Sequence, residues 1–403
     1  MGRFLVSQKL VDRSPDLKRL RDEGCDVNVI AGPHLLMGSI PYVNAERQVK
    51  TDGMIVCNLE LNQDRIKQPD DHTVYFVGEL PCDQTGAPLE NIIINRNRFE
   101  IVKGLFVSCQ FSTKPQTNNK HYVDYHDKMT TYAKIIASQA QAIDRSVKFK
   151  IFKPIAADED ETIFKYYDTS SSRAGITALS TKLEIKKLAI VGVGGTGSYV
   201  LDLVAKTRVE EIHLYDDDEF FQHNAFRMPG AVAFEDLRPG LKKVEHFAKI
   251  YEKLRNGIVP HIYKIDDSNI NELRAMNFVF LCMDSGEYKD LIMKTLEDAN
   301  IRFIDVGMGV YLADDAIGGI LRVTSSTERM RAHIRELERV SLAPARGDNL
   351  YSRNIQVADL NCINAALAVL KWKKMCGFYL DLKREHHSTY MIETNKLSSE
   401  DRV

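Results

Sequence analysis

KKLAIVGVGGTGSYVLDLVAKTRVEEIHLYDDD, residues 186–218, decides the fold. The apolar run from Leu188 to Val193 reads as a parallel strand buried on both faces. It runs into Gly192-Val193-Gly194-Gly195-Thr196-Gly197. A helical pattern follows from Ser198 to Lys206, with Val200, Leu201, Leu203 and Val204 on its buried side. A second strand, Glu211 to Tyr215, ends in Asp216, Asp217 and Asp218. Strand, glycine turn, helix, strand, acid is the pattern of a nucleotide-binding βαβ unit. Glycines permit the tight turn and let backbone N–H groups approach a phosphate at the helix N-terminus. Asp216 stands 24 residues after Gly192, at the spacing of an acid that accepts hydrogen bonds from a ribose. Asp217 and Asp218 read equally well as solvated turn acids. The plain alternative for the whole stretch is a turn that only packs helix on sheet.

Outward from this unit the chain has 403 residues, enough for two or three domains. Its 44% hydrophobic and 27% charged content is that of an ordinary globular protein. A net charge of −2 gives no electrostatic reason for a nucleic-acid or membrane-surface partner. No apolar run reaches the ~18 residues of a spanning helix. The N-terminal stretch MGRFLVSQKLVDRSPDLKRL lacks a signal peptide's apolar core. Gly2 is followed by Ser7, one position too late for a good myristoylation signal. Seven cysteines, at 25, 57, 82, 109, 282, 362 and 376, form no CxxC pair. Neither a disulfide framework nor a structural zinc site is expected, and a reducing cytoplasm is the expected compartment.

Residues 1–24 read as polar helix, with Pro15 starting a segment after Asp12-Arg13-Ser14. From 25 to 112, short β-rich runs such as VNVI, MIVCNLEL and HTVYFVGEL are punctuated by Gly, Pro, Asn and Asp. Residues 121–145 read as one amphipathic helix that closes this first domain. The expected organisation is a smaller β-rich α+β domain over 1–150, a linker over 151–175 and a larger domain over 176–403. The linker carries Asp158-Glu159-Asp160-Glu161 and Ser170-Ser171-Ser172, and a short helix over Ala174 to Lys182 follows. Beyond the central unit, HIYKID, MNFVFLCMD, IRFIDVGM and GGILRVTSS read as further strands, with helices over 242–255 and 285–299. This alternation predicts an α/β fold, a doubly wound, mainly parallel Rossmann-like sheet. The charged stretch 328–350 reads as surface helix and loop, and 354–376 as an apolar helix packed on something large.

The residues after strand two carry more information than the glycines. They run Asp216-Asp217-Asp218-Glu219-Phe220-Phe221-Gln222-His223-Asn224-Ala225-Phe226-Arg227; Lys243 follows within KKVE, and Asp284 within CMDS. This series resembles the ThiF family, the adenylating domain of ubiquitin-activating and sulfur-carrier-activating enzymes. That family has a GxGGxG turn, a DxDxVxxxNLxRQ stretch, a downstream lysine and an aspartate closing a CTDN-like segment. The order and spacing hold over 186–290; Met228 replaces the glutamine, Ala225 the leucine and Ser285 the asparagine.

The resemblance implies ATP-dependent adenylation of the C-terminal glycine carboxylate of a ubiquitin-like or sulfur-carrier protein, with release of pyrophosphate. It implies ATP and Mg²⁺ as cofactors. Gly192, Gly194, Gly195 and Gly197 would cradle phosphate, Asp216 and Asp218 would flank the nucleotide, and Asn224 would orient phosphate or metal-bound water. Arg227 and Lys243 would take the triphosphate, Asp284 would hold the metal, and Arg173 matches an arginine contributed across a homodimer. Such chemistry brings two anions together, so cations at these positions make physical sense. Asp284 as a simple helix cap is the plain alternative, and both roles can coexist.

No cysteine lies between Ile301 and Asn361, where thioester-forming relatives usually place one. Cys282, Cys362 and Cys376 read as packing, while Cys82 near a loop is a weak nucleophile candidate. His72, His121 and His126 are not grouped with carboxylates at metal-ligand spacing. The expected chemistry stops at the adenylate, with a possible downstream conjugating enzyme and a recruitment role for the first domain. The alternatives are an inactive nucleotide-binding scaffold, adenylation of a small molecule or peptide, and a nicotinamide-dependent oxidoreductase.

Overall fold

The computed structural model describes residues 8–30, 32–62, 65–115, 121–157, 162–284, 286–342 and 355–400. Gly2, Ser7, the acidic run 158–161, Ser285, Arg346 and Asp348 lie outside the described residues. The chain divides into two compact units, Met1–Ile155 and Ala156–Val403. Among the described residues no helix is long and apolar enough to cross a membrane.

The first unit opens with helices α1 (Gln8–Arg13) and α2 (Pro15–Asp22). Strands β1 (Asp26–Ile30), β2 (His34–Val43) and β3 (Val49–Asn58) form a meander. A small hairpin, β4 (Leu61–Asn62) and β5 (Arg65–Ile66), leads to β6 (Thr73–Val77) and β7 (Ile93–Asn95). A second hairpin, β8 (Phe99–Val102) and β9 (Leu105–Val107), precedes β10 (Cys109–Ser112). The main sheet is antiparallel in the order β1-β2-β3-β6-β10-β7. Helix α3 (Tyr125–Ile143) covers one face, capped by Asp124, whose side chain accepts from the Asp127 N–H at 2.7 Å. Met129, Tyr132, Ile136 and Ala140, at helical spacing, are buried. Met129, Tyr132 and Ile136 join Val74, Phe76 and Phe111 in the core beneath the helix. The period of two along β6 is why Val74 and Phe76 point inward together.

The second unit begins with two short helices, α4 (Thr169–Arg173) and α5 (Thr177–Ser180), rather than the single helix expected over 174–182; Gly175 at φ 69° separates them. Then come β11 (Lys187–Val191), α6 (Gly195–Ala205), β12 (Glu211–Tyr215), α7 (Gln222–Ala225), α8 (Lys243–Tyr251) and β13 (Ile258–His261). After these follow β14 (Phe278–Leu281), α9 (Glu287–Asp298), β15 (Arg302–Ala313), β16 (Ala316–Ser326) and α10 (His333–Glu336). The unit ends with α11 (Ala358–Met375), β17 (His387–Met391) and β18 (Lys396–Glu400).

The sheet order is β13-β12-β11-β14-β15-β16-β17-β18. The first five strands are parallel and the last three add antiparallel pairs. It is a doubly wound, mainly parallel α/β sheet. Leu188, Ile190, Leu214, Phe278 and Phe280 pack on one face with Trp372. Ala189, Val191, Tyr215, Val279 and Leu281 pack on the other with Leu296. The chain leaves β11 toward β12 and β13, then returns to lay β14 on its other side. That reversal opens a crevice at the carboxyl ends of the central strands, where such sheets bind ligands. At the far end of α6, the fully buried Arg255 guanidinium donates to the carbonyls of Ala205 and Thr207, a cation at a helix C-terminus.

Two expectations are corrected here. The third strand is Ile258–His261, not His261–Asp266: β13 is the sheet edge, where Pro260 is tolerated without its N–H. The helix after the glycine turn starts at Gly195 rather than Ser198, so the turn itself is its first turn.

Candidate active site

The turn after β11 is built by contacts that only glycine allows. Gly192 has φ 87°, and a Cβ there would lie 2.8 Å from the Cys282 carbonyl oxygen. At Gly197 a Cβ would stand 2.0 Å from the Gly192 carbonyl oxygen, and at Gly195 2.1 Å from the Asn361 amide nitrogen. Gly194 differs: nothing lies within 4 Å of where its Cβ would be. Three glycines therefore face protein and one faces open space. Ser198 N–H is the first to return to the helix, bonding the Gly194 carbonyl at 3.1 Å. The N–H groups of Gly195, Thr196 and Gly197 belong to the first turn of α6, at its positive end.

A small cleft lies over this turn. It is lined by Val193, Gly194, Gly195, Phe220, Asn224, Arg227, Met228, Lys243 and Phe247. Five sequence-derived candidates thus meet at one place: Gly194, Gly195, Asn224, Arg227 and Lys243.

Each polar side chain is held in a distinct way. Asn224 is buried, and its oxygen accepts the Phe221 N–H at 2.8 Å, so its NH₂ is the end available to a ligand. Asp216 accepts from the N–H groups of Val193 at 2.8 Å and Asp218 at 3.0 Å, which couples strand two to the glycine turn. Burial raises its carboxyl pKa, opposed by Lys243 and these two N–H groups. Both its oxygens keep lone pairs for a further donor. Lys243, 6% exposed, pairs with Asp218 and lies 3.6 Å from Asp216. These anions outweigh the unfavourable dipole of the α8 N-terminus, where the lysine sits. Arg227 is the exception. Its buried Nε has no hydrogen-bond acceptor among the described residues. A buried guanidinium N–H lining a cleft without an acceptor is costly unless an anion completes it.

The remaining candidates stand outside the lining. Gly192 and Gly197 pack behind it, and Asp218 joins through Lys243. Asp284 is exposed, two residues beyond the Cys282 carbonyl that Gly192 abuts, past the carboxyl end of β14. Arg173 is exposed at the end of α4. The carboxylates of Asp216, Asp217 and Asp218 lie within 4.8 Å of one another, and Asp284 is not one of that group.

Residues 15–169 match a domain of unknown function, DUF6791, and residues 171–315 match the ThiF family. Residues 171–315 are a ThiF-family domain. Among curated proteins, this chain is 24% identical over 153 residues to ubiquitin-like modifier-activating enzyme 5 of Drosophila mojavensis, covering 34% of this chain and 36% of that one. It is 24% identical over 162 residues to the Aedes aegypti protein of the same name, covering 36% and 39%. The chain therefore spans under two fifths of the length of these two relatives. Among solved structures it is similar to E. coli MccB, at 19% identity and TM-score 0.43 over 58% of this chain and 67% of that one. It is also similar to PaaA, at 16% and 0.41 over 56% and 75%.

Sequence reasoning missed Asn361. This fully buried residue of α11 donates to the Arg227 carbonyl at 3.2 Å and accepts from the Thr196 hydroxyl at 3.1 Å. The available signal was an asparagine inside an otherwise apolar helical pattern. One cysteine also differs from expectation. Cys362 is exposed rather than packed, because the buried α11 face runs through Asn361, Asn364, Ala365, Ala368 and Trp372. Cys82 is buried, its thiol donates to the Leu80 carbonyl at 3.4 Å, and burial pushes its pKa up, the reverse of nucleophile activation. Burial also raises the thiols of Cys282 and Cys376, the latter to about 11.

Proposed function

We propose that this protein is an ATP-dependent adenylating enzyme acting on the C-terminal carboxylate of a glycine-ended ubiquitin-like or sulfur-carrier protein. The observation that carries the reading is the unpartnered Nε of Arg227, buried beside the glycine turn and Lys243. In the reaction a carboxylate oxygen bonds to the α-phosphorus, and the bond to the bridging oxygen breaks. Pyrophosphate leaves with that electron pair.

The chain's own groups position and neutralise. N–H groups at the start of α6 hold phosphate oxygens, and Arg227 donates to the triphosphate. Lys243 shares its charge between the phosphates and Asp218. Asp216 accepts a ribose hydroxyl, and the Asn224 NH₂ orients a phosphate oxygen. Asp284 would hold Mg²⁺, an ion bound through one or two carboxylates and completed by phosphates and waters; it is exposed and follows Met283, whose backbone nitrogen lies 3.1 Å from where a Cβ on Gly192 would stand. When bound, the ion would offset charge on the departing pyrophosphate.

Titration with ATP and, separately, with NADH tests the reading. ATP should bind and NADH should not. NADH binding without ATP binding would return the chain to the oxidoreductase alternative.

A further inference from the structure

We infer that Asn361 is a positioning residue for the ATP site, setting the spacing between the glycine turn and Arg227; this rests on the adenylation reading above. Three observations carry it. The Asn361 side chain is wholly shielded from solvent, on α11, an element outside the βαβ unit. Its two ends tie different parts of the cleft, the oxygen taking the Thr196 hydroxyl and the NH₂ reaching the Arg227 carbonyl. The carbonyl needs a donor, so the amide orientation is fixed by its partners. Its NH₂ also fills the space where a side chain on Gly195 would be.

Burying an amide costs free energy that an apolar residue at the same helix position avoids. Fold alone does not ask for it, since the same face of α11 packs α6 through Ala365, Ala368 and Trp372. What the amide adds is a rigid link. Thr196 belongs to the turn whose Gly194 and Gly195 line the cleft, and Arg227 carries the cation whose Nε has no hydrogen-bond partner among the described residues. Both sets of donors must meet one triphosphate, and a shift of about 1 Å between them separates productive from idle geometry. Asn361 touches neither substrate nor reacting atoms; it acts through Arg227 and the turn.

The test is a double-mutant cycle read by ATP binding. Asn361→Asp is isosteric and keeps the acceptor for Thr196, but it sets an oxygen against the Arg227 carbonyl. It should weaken ATP binding about tenfold, with the thermal midpoint recorded alongside. In an Arg227→Ala background the same change should weaken binding less than about twofold, because coupled residues are non-additive. Global destabilisation would not produce that difference. Should Asn361→Asp fail to fold, Thr196→Val removes one tie only and should weaken binding about threefold, again only with Arg227 present. Wild-type ATP binding left unchanged by the Asn361 or Thr196 variant, or weakened equally in both backgrounds, overturns the inference and leaves the adenylation reading standing. A wild type that does not bind ATP overturns both.

Discussion

Gly197 and Gly194 stand three residues apart and answer to opposite constraints. A Cβ on Gly197 would press on the Gly192 carbonyl, whereas one on Gly194 meets nothing within 4 Å. Gly197→Ala should therefore destabilise the protein by about 3 kcal/mol, visible as a lowered denaturation midpoint. Gly194→Ala should leave that midpoint within about 0.5 kcal/mol while weakening ATP roughly tenfold, since the methyl enters the ligand's space. Equal stability loss in both would contradict the geometry. Arg227→Ala removes a guanidinium whose buried Nε has no hydrogen-bond partner among the described residues. ATP affinity should fall by a factor of about 10–100 with little change in stability, measured by titration and thermal melt. These residues were legible in the sequence because each has a type its task demands at a fixed place along one βαβ unit. Asn361 was not, because its partners are 134 and 165 residues away and an asparagine in an apolar helix carries no address.

At the scale of elements, β17 closes on β16 through buried histidines. His387 lies 3.0 Å from the Thr324 hydroxyl, and His386 lies 3.2 Å from that of Thr327. Burial depresses both imidazoles from 6.5 to about 4, with Lys371 acting on His386 and Arg339 on His387. Both are neutral when folded and bind protons more readily when unfolded. Their contribution to stability is present above pH 6.5 and is lost as pH falls toward 4. The thermal midpoint should drop across that window, and His386→Asn with His387→Asn should flatten the slope; an unchanged slope would contradict the assignment.

Neither β17 nor β18 was expected from the sequence. HSTYM and KLSSE are short, polar and partly exposed, so their hydrophobic pattern is weak. The central strands were legible for the opposite reason, being buried on both faces and continuously apolar. The third strand was placed three residues late because Ile258-Val259-Pro260-His261 contains a proline that only an edge position excuses.

At the scale of the whole molecule, every residue lining the cleft falls between Val193 and Phe247, inside the second unit. A fragment of residues 156–403 should bind ATP within about threefold of the full chain. A loss beyond tenfold would mean that the first unit completes the site. We propose that the first unit recruits the carrier, so the fragment should keep ATP binding and lose carrier-dependent turnover.

The central claim is the adenylation itself. ATP–pyrophosphate exchange by the full chain, with and without candidate glycine-terminated carriers encoded nearby, tests it most directly, beside an Asp284→Ala control. The account predicts exchange that needs a carrier and disappears in the control. ATP binding with no exchange for any carrier would contradict it and mark the chain as a nucleotide-binding scaffold.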